Sequence, residues 1–196
     1  MIIKIVGIDP ALRNTGLALA EFDTETGSLK YTTIHLLQTE NQAGKTVRKS
    51  SDDLRCAREL SRGIKKFLND HKPHFVMAEI PTGTQSARGA FSNGVCLGLL
   101  AGLGYEIVEL SPTEVKMASV GERTASKQDM ITWAVAVEPS LPWLYRTSKG
   151  KKVLKNDNEH LADAVAAINA GVQSVQFLMA LRILSTSTET KSAMTE

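Results

Sequence analysis

The order in which strand-like and helix-like segments follow one another constrains this chain most. Residues 2–8, IIKIVGI, are a short β-branched run of the kind that forms a buried strand. Residues 16–22, GLALAEF, predict a second strand, and 29–37 a third beyond the turn signal Glu25-Thr26-Gly27. Three strands in succession predict an antiparallel meander. A helical period then covers 52–70, with Leu54, Ala57, Leu60, Ile64, Phe67 and Leu68 on one face and Pro73 as a stop signal.

HFVMAEI (74–80) predicts a fourth strand, the Gly-, Ala- and Leu-rich stretch 84–103 a close-packed helix, and YEIVEL (105–110) a fifth strand. Ser111-Pro112-Thr113-Glu114 is a helix start, with a capping Ser, a Pro at the first helical position and a Glu to complete the box. Another helix starts near Ser126, with Asp129 three residues on, and runs to about Val137. Residues 138–157 read as a long polar connection. Asn156 can cap a final helix that carries Leu161, Val165, Ile168, Val172, Val175 and Leu178. The order β-β-β-α-β-α-β-α-α-α predicts an α/β fold, a mixed sheet with helices packed on it.

A length of 196 residues suits one domain, placed at 1–184, and a polar tail without apolar period at 185–196 that is expected to be disordered. The charge sum, 23 basic against 21 acidic side chains, excludes a uniformly basic binder but not a local basic surface. Cys56 and Cys96 match no metal spacing and build no disulfide framework, which fits a reducing cytoplasm. The apolar N-terminal run is too short for a signal peptide, and no stretch approaches the roughly 18 apolar residues that a membrane crossing needs.

Three carboxylates sit among apolar neighbours: Asp9 at the end of the first strand, Glu79 near the end of the fourth, and Asp163 in the last helix. Taken singly, each is explained by an edge position, a salt bridge or a cap. Taken together, two strands of one sheet and a helix beside it bring them to one point. Three converging carboxylates repel one another, so the cluster makes sense around hard divalent cations, magnesium or manganese. Two such ions about 4 Å apart activate water and stabilise a leaving oxygen in phosphodiester hydrolysis. His160 lies three residues before Asp163, on the same helix face, as a metal ligand, a water-positioning group or simply an exposed histidine. Glu159, four before Asp163, is a rival fourth ligand.

These residues resemble the RuvC-type Holliday junction resolvases of the ribonuclease H-like nuclease superfamily. GIDPALRNTGLAL (7–19) resembles the family's first-strand motif, AEIP (78–81) its second acidic strand, SPTEVKMASVGERTASKQDM (111–130) its stretch with two functional lysines, and EHLADAVAAINA (159–170) its last-helix motif. The resemblance covers roughly 2–180. It implies a ribonuclease H-like fold with a five-stranded mixed sheet flanked by helices, and Asp9, Glu79, His160 and Asp163 as ligands of two magnesium ions that manganese can replace. It implies Lys116 and Lys127 as catalytic lysines that contact DNA near the scissile phosphate. It also implies a homodimer, built through helix 84–103, that nicks a four-way junction symmetrically in recombination, repair or phage DNA processing. Gly89, Gly94, Gly98 and Gly102 suit such close approach, as they suit packing within one chain. Ala11 stands where the family has Gly after Asp-Pro, and Ile80-Pro81-Thr82 where it often has an aromatic that helps to open the junction.

The cations concentrate in 45–66, which also reads as a solvated helix face, and in the 138–157 connection. There Arg146, Lys149, Lys151, Lys152 and Lys155 accompany Trp143 and Tyr145, with no acid from 139 to 156. Cations contact phosphates and aromatics stack on unpaired bases, so this segment is a DNA-gripping candidate, with Trp143 alternatively a core anchor. Two rival functions are an actin-like ATPase or sugar kinase, and a non-catalytic junction-binding protein of the same fold. Pro10 and Ala11 suit a phosphate-cradling turn poorly, and clustered acids bring a pure DNA binder nothing.

Overall fold

β1 (Ile2–Asp9) is the central strand of the sheet and pairs on both sides. It runs antiparallel to β2 (Asn14–Asp23), which pairs antiparallel with β3 (Leu29–Gln38). On its other side it runs parallel to β4 (Phe75–Glu79), which pairs parallel with β5 (Ile107–Leu110). The sheet order is β3-β2-β1-β4-β5, the five-stranded mixed sheet expected. This computed structural model describes residues 1–42 and 44–193, with side chains to Leu184.

Strand parity sorts the side chains into two layers. Val6, Ile8, Leu17, Leu19, Val76 and Ala78 face α1 (Lys49–His71) and the end of α2 (Ala87–Ala101). Ile3, Ile5, Ala18, Ala20 and Met77 face α3 (Pro112–Ser119), α4 (Lys127–Val137) and α5 (Asn158–Gly171). Both expected capping boxes are present, at Ser111 with Glu114 and at Ser126 with Asp129.

α5 is nearly all buried, and its alanines let it lie directly on the sheet. Gly7 and Gly16 complete that approach. A Cβ on Gly7 would collide with the Ala164 carbonyl oxygen, and one on Gly16 with the His160 carbonyl. At these two positions there is no room for a side chain beneath the helix.

Four local expectations differ. The last helix is two: α5 ends at Gly171, and α6 (Val175–Ala193) leaves at 62°, with the Ser174 hydroxyl accepting from the Phe177 N–H at its start. Asp157, not Asn156, occupies the cap position of α5, and Asn156 contributes its backbone carbonyl to Glu159. Leu54 is 51% exposed, while Asp52 and Asp53 take the buried face of α1. Helical backbone continues into the stretch expected to be a disordered tail, which holds no Gly or Pro to stop it; the side chains of 185–193 and residues 194–196 lie outside the described residues. Among the described residues, no single helix is long and apolar enough to cross a membrane.

Candidate active site

Asp9 and Glu79 are placed by parity. Asp9 shares its face with Ile3 and Ile5, and Glu79 shares its face with Met77, so both point toward α5. The parallel register pairs Ile8 with Ala78, so the two carboxylates close adjacent strands at the same level. α5 crosses above and supplies His160 and Asp163, one turn apart. The Nδ1 of His160 lies 2.7 Å from Oδ2 of Asp9.

Charge is crowded here. Burial pushes the Asp163 carboxyl up to about 8, with the fields of Asp9, Glu79 and Glu159 adding to it and Lys116 opposing. Burial and the Asp9 charge push Glu79 up to about 7, again against Lys116. Burial is the largest single influence on His160 and disfavours its imidazolium. The hydrogen bond and charge of Asp9, helped by Glu159, outweigh it, so the net direction is upward. Lys116 on α3 is thus close enough to both raised carboxyls to act on them. Lys127, at the start of α4, pairs with Glu159 at 2.6 Å, which turns Glu159 outward to a lysine while His160 meets Asp9.

Among the described residues, no three His, Cys, Asp or Glu side chains close into a finished ion cage. The donor chemistry nevertheless fits a hard cation. Three carboxyls share one apolar setting, and their mutual repulsion is the load that a divalent ion relieves.

A stability test follows from the signs. Between the ordinary carboxylate range and pH 7–8, folded Glu79 and Asp163 hold protons that the unfolded chain has lost. In chelator, stability therefore falls as pH rises through that window, by several kcal/mol in all. A divalent cation bound in place of those protons, tested as magnesium, should raise Tm clearly at pH 8 and little at pH 5. Equal magnesium shifts at both values in a thermal melt would contradict this.

The 138–157 connection is built, not loose. β6 (Tyr145–Ser148) and β7 (Lys151–Leu154) form an antiparallel hairpin, turned by Lys149 and Gly150 at φ 48° and 73°. Positive φ at both central residues is the hairpin-type turn, and Lys149-Gly150 was the available signal for it. Trp143 is buried and its Nε1 donates to the Glu138 carbonyl at 3.0 Å, so it anchors the hairpin rather than offering a stacking face. Tyr145 is exposed, with the Lys152 ammonium 4.1 Å above its ring. Asn158 secures the base: the Leu144 N–H donates to its Oδ1, and its Nδ2 donates to the Leu144 and Lys155 carbonyls. Arg146, Lys149, Lys151, Lys152 and Lys155 all belong to this unit.

The sequence profile for crossover junction endodeoxyribonuclease RuvC matches residues 5–138. The chain belongs to the RuvC family. It is a crossover junction endodeoxyribonuclease, a structure-selective DNA nuclease, which sets aside the ATPase and sugar-kinase reading. The match takes in Asp9, Glu79, Lys116 and Lys127. The RuvC of Akkermansia muciniphila is 28% identical over 129 residues, 63% of this chain and 71% of that protein. The RuvC of Mesorhizobium japonicum is 26% identical over 168 residues, 84% and 86% of the two chains. In fold, the chain is similar to Thermus thermophilus RuvC in complex with a Holliday junction substrate, at a TM-score of 0.61 and 17% identity over 86% of this chain and 92% of that one.

Sequence reasoning missed one cluster nearby. Asp52 and Asp53 are buried on α1 and gather Arg13, Arg55 and Arg88 around them. The only signal was two acids at positions where the helical period asks for apolar side chains.

Proposed function

We propose that Asp9, Glu79 and Asp163 hold two magnesium ions, with manganese able to substitute, and that the protein nicks four-way DNA junctions as a symmetric homodimer in a bacterial cytoplasm, including that of a phage host. The nuclease unit in this reading is 1–184, with 185–196 outside it. The observation that carries it is the pair of strand-end carboxylates and the α5 carboxyl facing one point, two of them raised by burial and mutual repulsion. Divalent cations bound there supply an activated water and charge neutralisation at the phosphate.

The chain's own side chains do the rest. Asp9 orients His160 across 2.7 Å, which aims the imidazole at the same point as a fourth ligand or a water-positioning group. Lys116, already felt by Glu79 and Asp163, is placed to offset charge that develops on the phosphate. Lys127 leaves Glu159 when a phosphate offers a stronger partner. The hairpin presents Arg146, Lys149, Lys151 and Lys152 as phosphate contacts, with Lys155 at its base. Tyr145 is its one exposed ring and takes part of the role of the missing aromatic after Glu79. Dimerisation through α2 is supported by its apolar outer face: Phe91 and Leu97 are 47% and 42% exposed, and nothing lies within 4 Å of a Cβ built on Gly94 or Gly98.

The test is a panel of four-way, three-way, flap and duplex DNA with magnesium, nicks mapped on every strand. Paired nicks at symmetry-related positions of the four-way junction, lost in chelator, are expected. Tight junction binding without cleavage in magnesium or manganese would instead support a non-catalytic binder. On the same substrates, replacing Lys149, Lys151 and Lys152 with Ala should weaken junction binding at least about tenfold at low salt. It should also flatten the dependence of log affinity on log salt by roughly 2 to 3. Unchanged affinity and slope would remove the hairpin from the interface.

A further inference from the structure

Asp52 and Asp53 stand side by side in α1, 1% and 3% exposed. Buried carboxylates are costly unless paired and hydrogen-bonded, so their partners show what they are for. Asp52 accepts from Arg13 Nη2 at 3.0 Å, from Arg55 Nε and Nη2 at 3.2 and 2.6 Å, and from the Gln42 N–H at 3.2 Å. Asp53 accepts both Nη atoms of Arg88 at 2.6 Å, and Arg13 Nη2 and Lys49 Nζ stand 3.8 and 3.9 Å away.

Two of those guanidiniums come from outside α1, and their origins matter. Arg13 belongs to the β1–β2 connection, four residues after Asp9. The same loop is fixed at Leu12, whose carbonyl accepts from the Thr39 hydroxyl and whose side chain packs with Cys56 and Leu60 of α1. Arg88 lies in the first turn of α2, at the end of the connection that follows Glu79. That connection is also held by Asn93, whose Nδ2 donates to the Thr82 carbonyl at 2.7 Å. One pair of acids on one helix therefore grips the chain four residues beyond Asp9 and nine residues beyond Glu79.

We infer that Asp52 and Asp53 are positioning residues for the nicking reaction: through Arg13 and Arg88 they fix the segments that follow Asp9 and Glu79, and so the spacing of those two carboxylates. This rests on the proposed role of Asp9 and Glu79. Asp53 is the better probe, because its bidentate partner Arg88 is half-exposed and can swing away once released. Outer partners that orient metal-holding groups are worth about 10- to 100-fold in activity or metal affinity.

The experiment compares Asp53→Asn, Asp53→Glu and Arg88→Gln with wild-type protein in single-turnover nicking of a four-way junction across a magnesium titration. Tm and junction affinity in chelator are measured alongside. Arg88→Gln keeps the test valid if Asp53→Asn does not fold. Expected for Asp53→Asn and Arg88→Gln are a nicking rate about tenfold or more below wild type and a higher half-saturating magnesium concentration, with junction affinity within about threefold. Asp53→Glu should recover most of the rate. Wild-type rate and magnesium dependence in both variants, whatever their Tm, would overturn the inference, because the cluster would then only stabilise the fold. A loss of junction affinity in Arg88→Gln with normal magnesium dependence would overturn it too, and make Arg88 a DNA contact. If Asp163→Asn, run in parallel, stops nicking while Asp53→Asn does not, this inference alone fails. A wild-type protein that nicks nothing takes the proposed function with it.

Discussion

Asp163→Asn should reduce magnesium-dependent nicking of a four-way junction by about 1,000-fold or more, on the order of 4 kcal/mol of transition-state stabilisation. The substitution is nearly isosteric and removes only the ability to carry charge. Its effect on folding should therefore be opposite in sign to its effect on activity. Burial and three neighbouring acids oppose ionisation of Asp163, so in chelator near pH 8 the variant should melt higher than wild type. Magnesium should then raise its Tm less than it raises that of wild type. Junction affinity in chelator should hold or increase, since one negative charge leaves the surface that meets phosphate. Single-turnover nicking, thermal melts and a binding titration check the three parts. Retained magnesium-dependent cleavage would take Asp163 out of the chemistry.

Gly16→Ala should be the most damaging one-carbon change among the glycines that support α5. The new Cβ would fall on the His160 carbonyl, with the Leu161 nitrogen 3.1 Å away. These are backbone atoms and cannot rotate aside. Overpacking of this kind costs about 1–3 kcal/mol, which for a domain of this size lowers Tm by roughly 2–12 °C. The larger consequence is for chemistry. Relief of the clash lifts the first turn of α5, which carries His160, away from β1 and Asp9. A misplacement of about 1 Å can cost roughly 100-fold in rate. Gly44→Ala, with nothing within 4 Å of the added carbon, is the control and should leave Tm and rate unchanged. A Gly16→Ala protein with the melting temperature and nicking rate of wild type would mean that α5 sits less tightly on the sheet than described.

Much of this arrangement was legible in the sequence, for identifiable reasons. Strands show a period of two, and Asp9 and Glu79 close runs whose alternation already tells which face they take. Ser111 with Glu114 and Ser126 with Asp129 are local signals whose partners lie three residues away, and both are formed as read. What stayed hidden depends on partners distant in the chain. Asp52 and Asp53 look like solvated acids until Arg13 and Arg88, 39 and 35 residues away, are brought to them. Arg55 counted as part of an outer basic face, yet it turns inward to Asp52. The break between α5 and α6 was masked because Val172, Val175 and Leu178 keep the helical period across a segment that bends. The hairpin was concealed by composition, since Tyr-Arg-Thr-Ser and Lys-Lys-Val-Leu carry too few apolar residues to read as strands.

Asn158 gives the hairpin a mechanical meaning. Its side chain bonds the backbone where the hairpin begins, at Leu144, and where it ends, at Lys155, and its own backbone opens the helix that two residues later carries His160. The hairpin is thus a lever with no joint at its root. It cannot tilt as a unit without carrying the first turn of α5 with it, so a load applied at its basic tip is felt at the carboxylates.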